Sequence, residues 1–92
     1  MAVPYRVQIK VIEVRGKQPC GKGYKVGDTM ISESNQPPPD MCMLGYNAML
    51  PAVYALRYGC AGFPWELEEG MTRISCPDPD VVVVFELRRL PD

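Results

Sequence analysis

A chain of 92 residues, 47% hydrophobic and 23% charged, has the composition of one globular domain spanning 1–92 and not that of a disordered segment. Ten Lys plus Arg against eleven Asp plus Glu leave a formal charge of −1 with no long block of either sign, which excludes the concentrated basic surface that nucleic-acid binding needs. The absence of histidine excludes Ser-His and Cys-His dyads and mixed Cys/His zinc sites, so chemistry falls to Cys, Asp, Glu, Lys, Tyr and the backbone.

The first residues lead straight into alternating apolar and polar positions, with no h-region of a leader and no membrane span, so a cytoplasmic protein is expected. Tyr5, Val7, Ile9 and Val11 alternate with Arg6, Gln8 and Lys10, the period of a half-buried strand. The phase slips at Ile12 and Val14, which calls either for a bulge near Val11-Ile12 or for a second covered face. Gly16 to Gly23 reads as a loop, and Asp28 to Ser32 as a short strand.

Ser34 to Asp40 is polar and proline-rich, a loop that would deliver Asp40 as the N-cap of a helix. From Cys42 to Cys60, the residues Cys42, Tyr46, Met49, Val53, Leu56 and Cys60 recur at spacings of four and three and trace one helix face. Pro51 cannot donate to the Asn47 carbonyl, so this helix is expected to be kinked or split, with Gly59 as its C-terminal stop. Arg57, at its end, reads as a solvated or dipole-compensating charge. Gly62-Phe63-Pro64-Trp65 is a loop with two large aromatic side chains, and Glu66 to Glu69 completes one further helical turn before Gly70.

Met71 to Ser75 reads as a strand, and Cys76-Pro77-Asp78-Pro79-Asp80 as a turn, because two prolines so close cannot both sit in a paired strand. Val81 to Leu87 is the strongest strand signal, its four valines lacking alternation as when both faces are covered. Arg88 and Arg89 decorate the end of that strand. The order β-β-α-β-β predicts an α+β fold, a small mostly antiparallel sheet with its first and last strands central and the kinked or split helix on one face. Ile12, Val14 and alternate valines then need another cover, for which a second copy of the chain in a homodimer is the simplest candidate.

Cys20, Cys42, Cys60 and Cys76 are 22, 18 and 16 residues apart, without a Cys-x-x-Cys pair. In a reducing compartment they are thiols or metal ligands rather than disulfides. Cys20, Cys42 and Cys76 each stand at a junction between elements, where free backbone N–H groups or nearby lysines favour thiolate. If they converge, soft sulfur suits zinc, cuprous copper or an iron-sulfur cluster. The plainer alternative is a cysteine acting as a small hydrophobe, and Cys42 and Cys60 both lie on the apolar helix stripe.

Cys20 is also a candidate nucleophile beside Lys17 and Lys22, with Tyr24, Asp28 or Asp78 assisting in place of histidine. Tyr46, Phe63 and Trp65 are candidates for a small-molecule pocket. Three functions follow from the residues: an accessory or redox protein binding a metal or iron-sulfur centre, a small-molecule-binding protein or enzyme with a reactive Cys20, and a module that interacts with a protein partner and whose cysteines are only structural.

Cys20-Gly-Lys-Gly-Tyr-Lys-Val-Gly-Asp, Met41-Cys42, Leu50-Pro51, Ala55-Leu56-Arg57-Tyr58-Gly59, Phe63-Pro64-Trp65, Cys76-Pro77-Asp78-Pro79 and Val84-Phe85-Glu86-Leu87 together resemble a family of small cysteine-containing proteins of about this length from anaerobic bacteria and archaea. The resemblance covers nearly the whole chain, but the family is defined by its sequence and implies no activity. It implies that Cys20, Cys42 and Cys76 belong to a shared pattern, whereas Cys60 replaces a usual glycine. Tyr24 stands where the family often has histidine, which removes any scheme built on that imidazole. An anaerobic setting would favour an oxygen-sensitive thiolate or cluster site.

Overall fold

The alternation that begins at Val7 becomes strand β1 (Val7–Arg15) of a computed structural model that describes residues 4–16, 20–34, 36–39, 41–59 and 70–91. Strand β2 (Thr29–Ser32), helix α1 (Met43–Arg57) and strands β3 (Met71–Ser75) and β4 (Val82–Arg89) follow in the predicted β-β-α-β-β order. All pairings are antiparallel, and the spatial order β2-β1-β4-β3 puts the first and last strands at the centre. Tyr5, expected as the first buried position of the strand, precedes it and is exposed.

Val7, Ile9 and Val11 on β1 share one face with Val83, Phe85 and Leu87 on β4, and all are sealed beneath the helix residues Met49, Ala52, Val53 and Leu56. Burying each such aliphatic or aromatic side chain contributes about 1.5–3 kcal/mol, so this one layer is the main apolar core among the described residues. The phase slip is a bulge: Val11 pairs with Phe85 but Glu13 pairs with Val84, leaving Ile12 as the extra residue. The bulge returns Val14 to the helix side, opposite Val83 and packed against the core. Val14 therefore needs no second cover. On the far face Lys10, Glu86 and Arg73 lie side by side across three strands in alternating charge, interrupting the apolar positions Ile12, Val82 and Val84 and leaving less apolar surface there than expected.

Helix α1 is continuous through Pro51, so it is not split. Asn47 and Pro51 are both exposed, and the carbonyl deprived of its donor therefore faces water. The N-cap is Cys42, not Asp40, and it makes no side-chain cap bond; Asp40 itself lies outside the described residues. At the other end Gly59, at φ +82°, provides the expected left-handed stop. The expected turn at Glu66 to Glu69 also lies outside the described residues. No helix is long and apolar enough to cross a membrane among the described residues.

One close approach fixes the bottom of the sheet. A Cβ on Gly16, at φ +137°, would lie 2.7 Å from the Asp80 carbonyl oxygen, so only glycine fits where β1 meets the turn before β4. That turn is held by the Asp78 carboxylate, which accepts the N–H groups of Asp80 (2.8 Å) and Val81 (3.2 Å).

Candidate functional site

Two regions at opposite ends of helix α1 carry the polar and sulfur chemistry. At the N-terminal end, the turn from Cys20 to Gly23, closed by the Gly23 N–H to the Cys20 carbonyl at 2.8 Å, leads into Tyr24. The Tyr24 ring packs edge-on against Phe85 with centroids 5.6 Å apart. Its hydroxyl accepts the Cys42 N–H at 2.7 Å and donates toward the Met41 sulfur at 3.8 Å. The phenol thus serves the N–H of the N-cap residue itself, not the first-turn N–H groups that a capping side chain would take. Burial pushes the Tyr24 hydroxyl above its ordinary pKa; the Cys42 N–H opposes this, while the Cys42 and Cys20 sulfurs and Asp28 add to it by disfavouring a second negative charge beside them. The Met41 sulfur and the Cys42 N–H therefore meet at one hydroxyl, four residues along the chain from Cys20.

Cys76 is engaged elsewhere. Its sulfur accepts the Val83 N–H at 3.3 Å and donates toward the Val81 carbonyl at 3.6 Å, which ties it to the edge of β4. Cys20, Cys42 and Cys76 are all free, half-buried thiols. Among the described residues no three Cys, Asp or Glu side chains are grouped as a metal ion would need. Of the groups proposed to assist Cys20, the Tyr24 hydroxyl is engaged by the Cys42 N–H, Asp78 is spent on its turn and Asp28 accepts the Lys25 N–H at 2.9 Å. Lys17, Cys60, Phe63 and Trp65 lie outside the described residues.

At the C-terminal end the helix leaves a gap. It packs chiefly over β3 and β4 and away from the edge strand β2, so a cleft of about 600 Å³ opens between α1 and the chain leaving β2. Tyr46, Leu50, Pro51, Val53, Tyr54 and Ala55 line it with mostly apolar surface, with Ser34 and Arg57 as polar members. Tyr46, expected in a pocket, is one of its walls. A smaller hollow of about 360 Å³, lined by Pro37, Met41, Met43, Tyr46, Asn47 and Leu50, continues along the helix.

Arg57 is not the solvated charge that its position suggests. It is only 5% exposed, because Tyr5 and Ser32 close over it from β1's approach and from β2. Its Nη1 donates to the Tyr5 carbonyl at 3.2 Å and to the Ser32 carbonyl at 3.3 Å. The Nε–H is buried without a partner, as is the Ser32 hydroxyl. Arg89, from the end of β4, also turns inward: its Nε donates to the Leu56 carbonyl at 2.9 Å and its guanidinium stands 4.9 Å over the Tyr5 ring.

No family model, curated protein or solved structure matches this chain.

The arrangement itself must therefore carry the functional reading. An open apolar cleft with a buried cation on its wall can hold a small molecule, and sulfur gathered at a phenol can bind a soft cation or react with an electrophile. Of the cleft's residues the sequence pointed to Tyr46 as a pocket member, but not to Leu50, Tyr54 or Arg57. The available signal was the spacing of Tyr46, Leu50, Val53 and Arg57 at four, three and four, which sets the charge on a stripe beside the core stripe instead of on the solvated side.

Proposed function

We propose that the chain is a small-molecule-binding protein whose ligand lies in the cleft between helix α1 and the chain leaving β2. The observation that carries this reading is the cleft's size and lining: about 600 Å³, walled by Tyr46, Leu50, Pro51 and Tyr54, with few polar groups. Ligand sites are typically concave, mostly apolar and of this volume, with a small number of placed polar atoms to orient the occupant. The test is to titrate uniformly ¹⁵N-labelled protein with small neutral probes such as phenol and cyclohexanol and to follow the backbone amide resonances. Saturable shifts confined to Ser34, Tyr46, Leu50 and Tyr54 are expected. Shifts scattered over the surface, or none at millimolar probe, would refute the reading.

A second reading is favoured by a separate observation, the meeting of the Met41 sulfur and the Cys42 N–H at the hydroxyl of Tyr24, four residues after Cys20. Two thiolates and a thioether suit a soft d¹⁰ ion such as cuprous copper, whereas zinc or an iron-sulfur cluster would need further donors. Such a site would make the protein a metal-binding accessory or redox component, with Cys76 outside the ligand set because its sulfur is already hydrogen-bonded along β4. Anaerobic competition with a chromogenic cuprous chelator checks it: Cys20→Ser and Cys42→Ser should each lose the retained copper, and Cys76→Ser should keep it. Equal loss in all three variants would remove this reading.

A further inference from the structure

Resting on the cleft as a binding site, we infer that its ligand carries a carboxylate, which docks on the unspent edge of Arg57 while an apolar body lies along Tyr46, Leu50 and Tyr54. A guanidinium stays charged at any accessible pH, and a charge taken out of water is normally paired with an opposite one. Arg57 is nine-tenths buried and more, yet among the described residues no carboxylate lies within ion-pair distance of it. The two carbonyls of Tyr5 and Ser32 and the negative C-terminal end of the helix compensate it in part.

How its donors are used is what identifies the ligand. Both bonds to main chain come from Nη1. The Nε–H has no partner, and Nη2 makes neither of those bonds. Nε and Nη2 form one side of the planar fork, and that side is the one that grips a carboxylate through two parallel hydrogen bonds. Arg57 is also part of the cleft lining, so this side chain and the apolar wall border one space. The unpaired Ser32 hydroxyl is a further polar group beside the Arg57 contact.

The experiment compares 3-phenylpropionate with its neutral isostere 3-phenylpropanamide on the intact chain, following both the cleft amides and the Arg57 Nε–H resonance. The acid should bind about tenfold more tightly than the amide and move the Nε–H signal, and the preference should vanish in Arg57→Met and survive in reduced form in Arg57→Lys. If Arg57→Met does not fold, the Nε–H signal of the unaltered chain decides. Equal binding of acid and amide with the Nε–H unmoved overturns the carboxylate inference while leaving the cleft as a site. Failure of both probes to move the cleft amides overturns the cleft reading and the inference with it. A response to inorganic phosphate but not to 3-phenylpropionate overturns the apolar carboxylate in favour of a simple anion site.

Discussion

The two ends of helix α1 treat their polar groups in opposite ways. At the N-terminal end the Cys42 N–H finds the Tyr24 hydroxyl, which finds the Met41 sulfur, so each of these groups has its partner within the protein. At the C-terminal end Arg57 satisfies two carbonyls and still holds an Nε–H that is buried and unpaired. A closed network can stand as structure alone. An unspent buried donor beside a cleft costs free energy until something accepts from it, and so it marks where a ligand would add most.

The sharpest way to separate the ends is to loosen one of them. Phe85→Ala removes the ring that Tyr24 packs against and that would lie 3.4 Å from a Cβ on Gly45. The expected loss is about 3–5 kcal/mol in urea unfolding, the usual cost of deleting a sealed aromatic ring. In the surviving folded population, Cys20 and Cys42 should react faster with a thiol reagent, while cleft affinity changes little because Phe85 is not part of its lining. Unchanged labelling would mean that the Cys20 turn and the helix start are held by something other than this ring.

At the other end, Arg57→Met should cost about 2 kcal/mol, less than the loss of Phe85. The variant leaves the Tyr5 and Ser32 carbonyls without their donor, but it also removes a buried charge, and the second effect offsets part of the first. Thermal unfolding measured with and without 3-phenylpropionate extends the contrast: the acid should raise the melting temperature of the unaltered chain more than that of the variant, whose rise should match that given by the neutral amide. A variant more stable than its parent would show that the charge is retained at a net cost to folding, which strengthens the case for a binding role.

How legible each end was in the sequence follows the same division. Alternation at Val7, Ile9 and Val11 specified β1, and the phase slip at Ile12 announced the bulge, because a strand's period makes a single extra residue visible. The effect of that bulge on Val14 went the other way from expectation, since returning a side chain to the core face depends on the partner strand's register and not on β1 alone. The helix stripe held at Met49, Val53 and Leu56. Its N-cap did not: a capping preference favours Asp40 by residue type, whereas the backbone turns helical at Cys42, whose N–H is held by the Tyr24 hydroxyl from 18 residues away. The same holds for Arg57, whose burial is made by Tyr5 and Ser32, 52 and 25 residues away in the chain. Local pattern thus specified the sheet and the core, and long-range contact specified both candidate sites.

The smallest effect, and the one that tests the N-terminal network most directly, is that of Tyr24→Phe. The ring and its contact with Phe85 remain, so only the acceptor of the Cys42 N–H is lost, at a cost of about 1 kcal/mol near neutral pH. The pH dependence carries more information than that number. Because the Tyr24 pKa is raised in the folded chain, chiefly by burial, the native state holds the phenolic proton more tightly than the unfolded state does. Its contribution is therefore constant below the unfolded tyrosine pKa of about 10 and is lost as pH rises through the higher folded value. Other tyrosines and lysines titrate in the same window, and taking the difference between parent and variant removes their share. That difference should shrink as the solution is made more alkaline, because only the parent loses Tyr24's share. A difference that stays flat or grows would mean that the phenolate is accommodated beside the Cys20 and Cys42 sulfurs, and that this end of the helix is less closed than its hydrogen bonds imply.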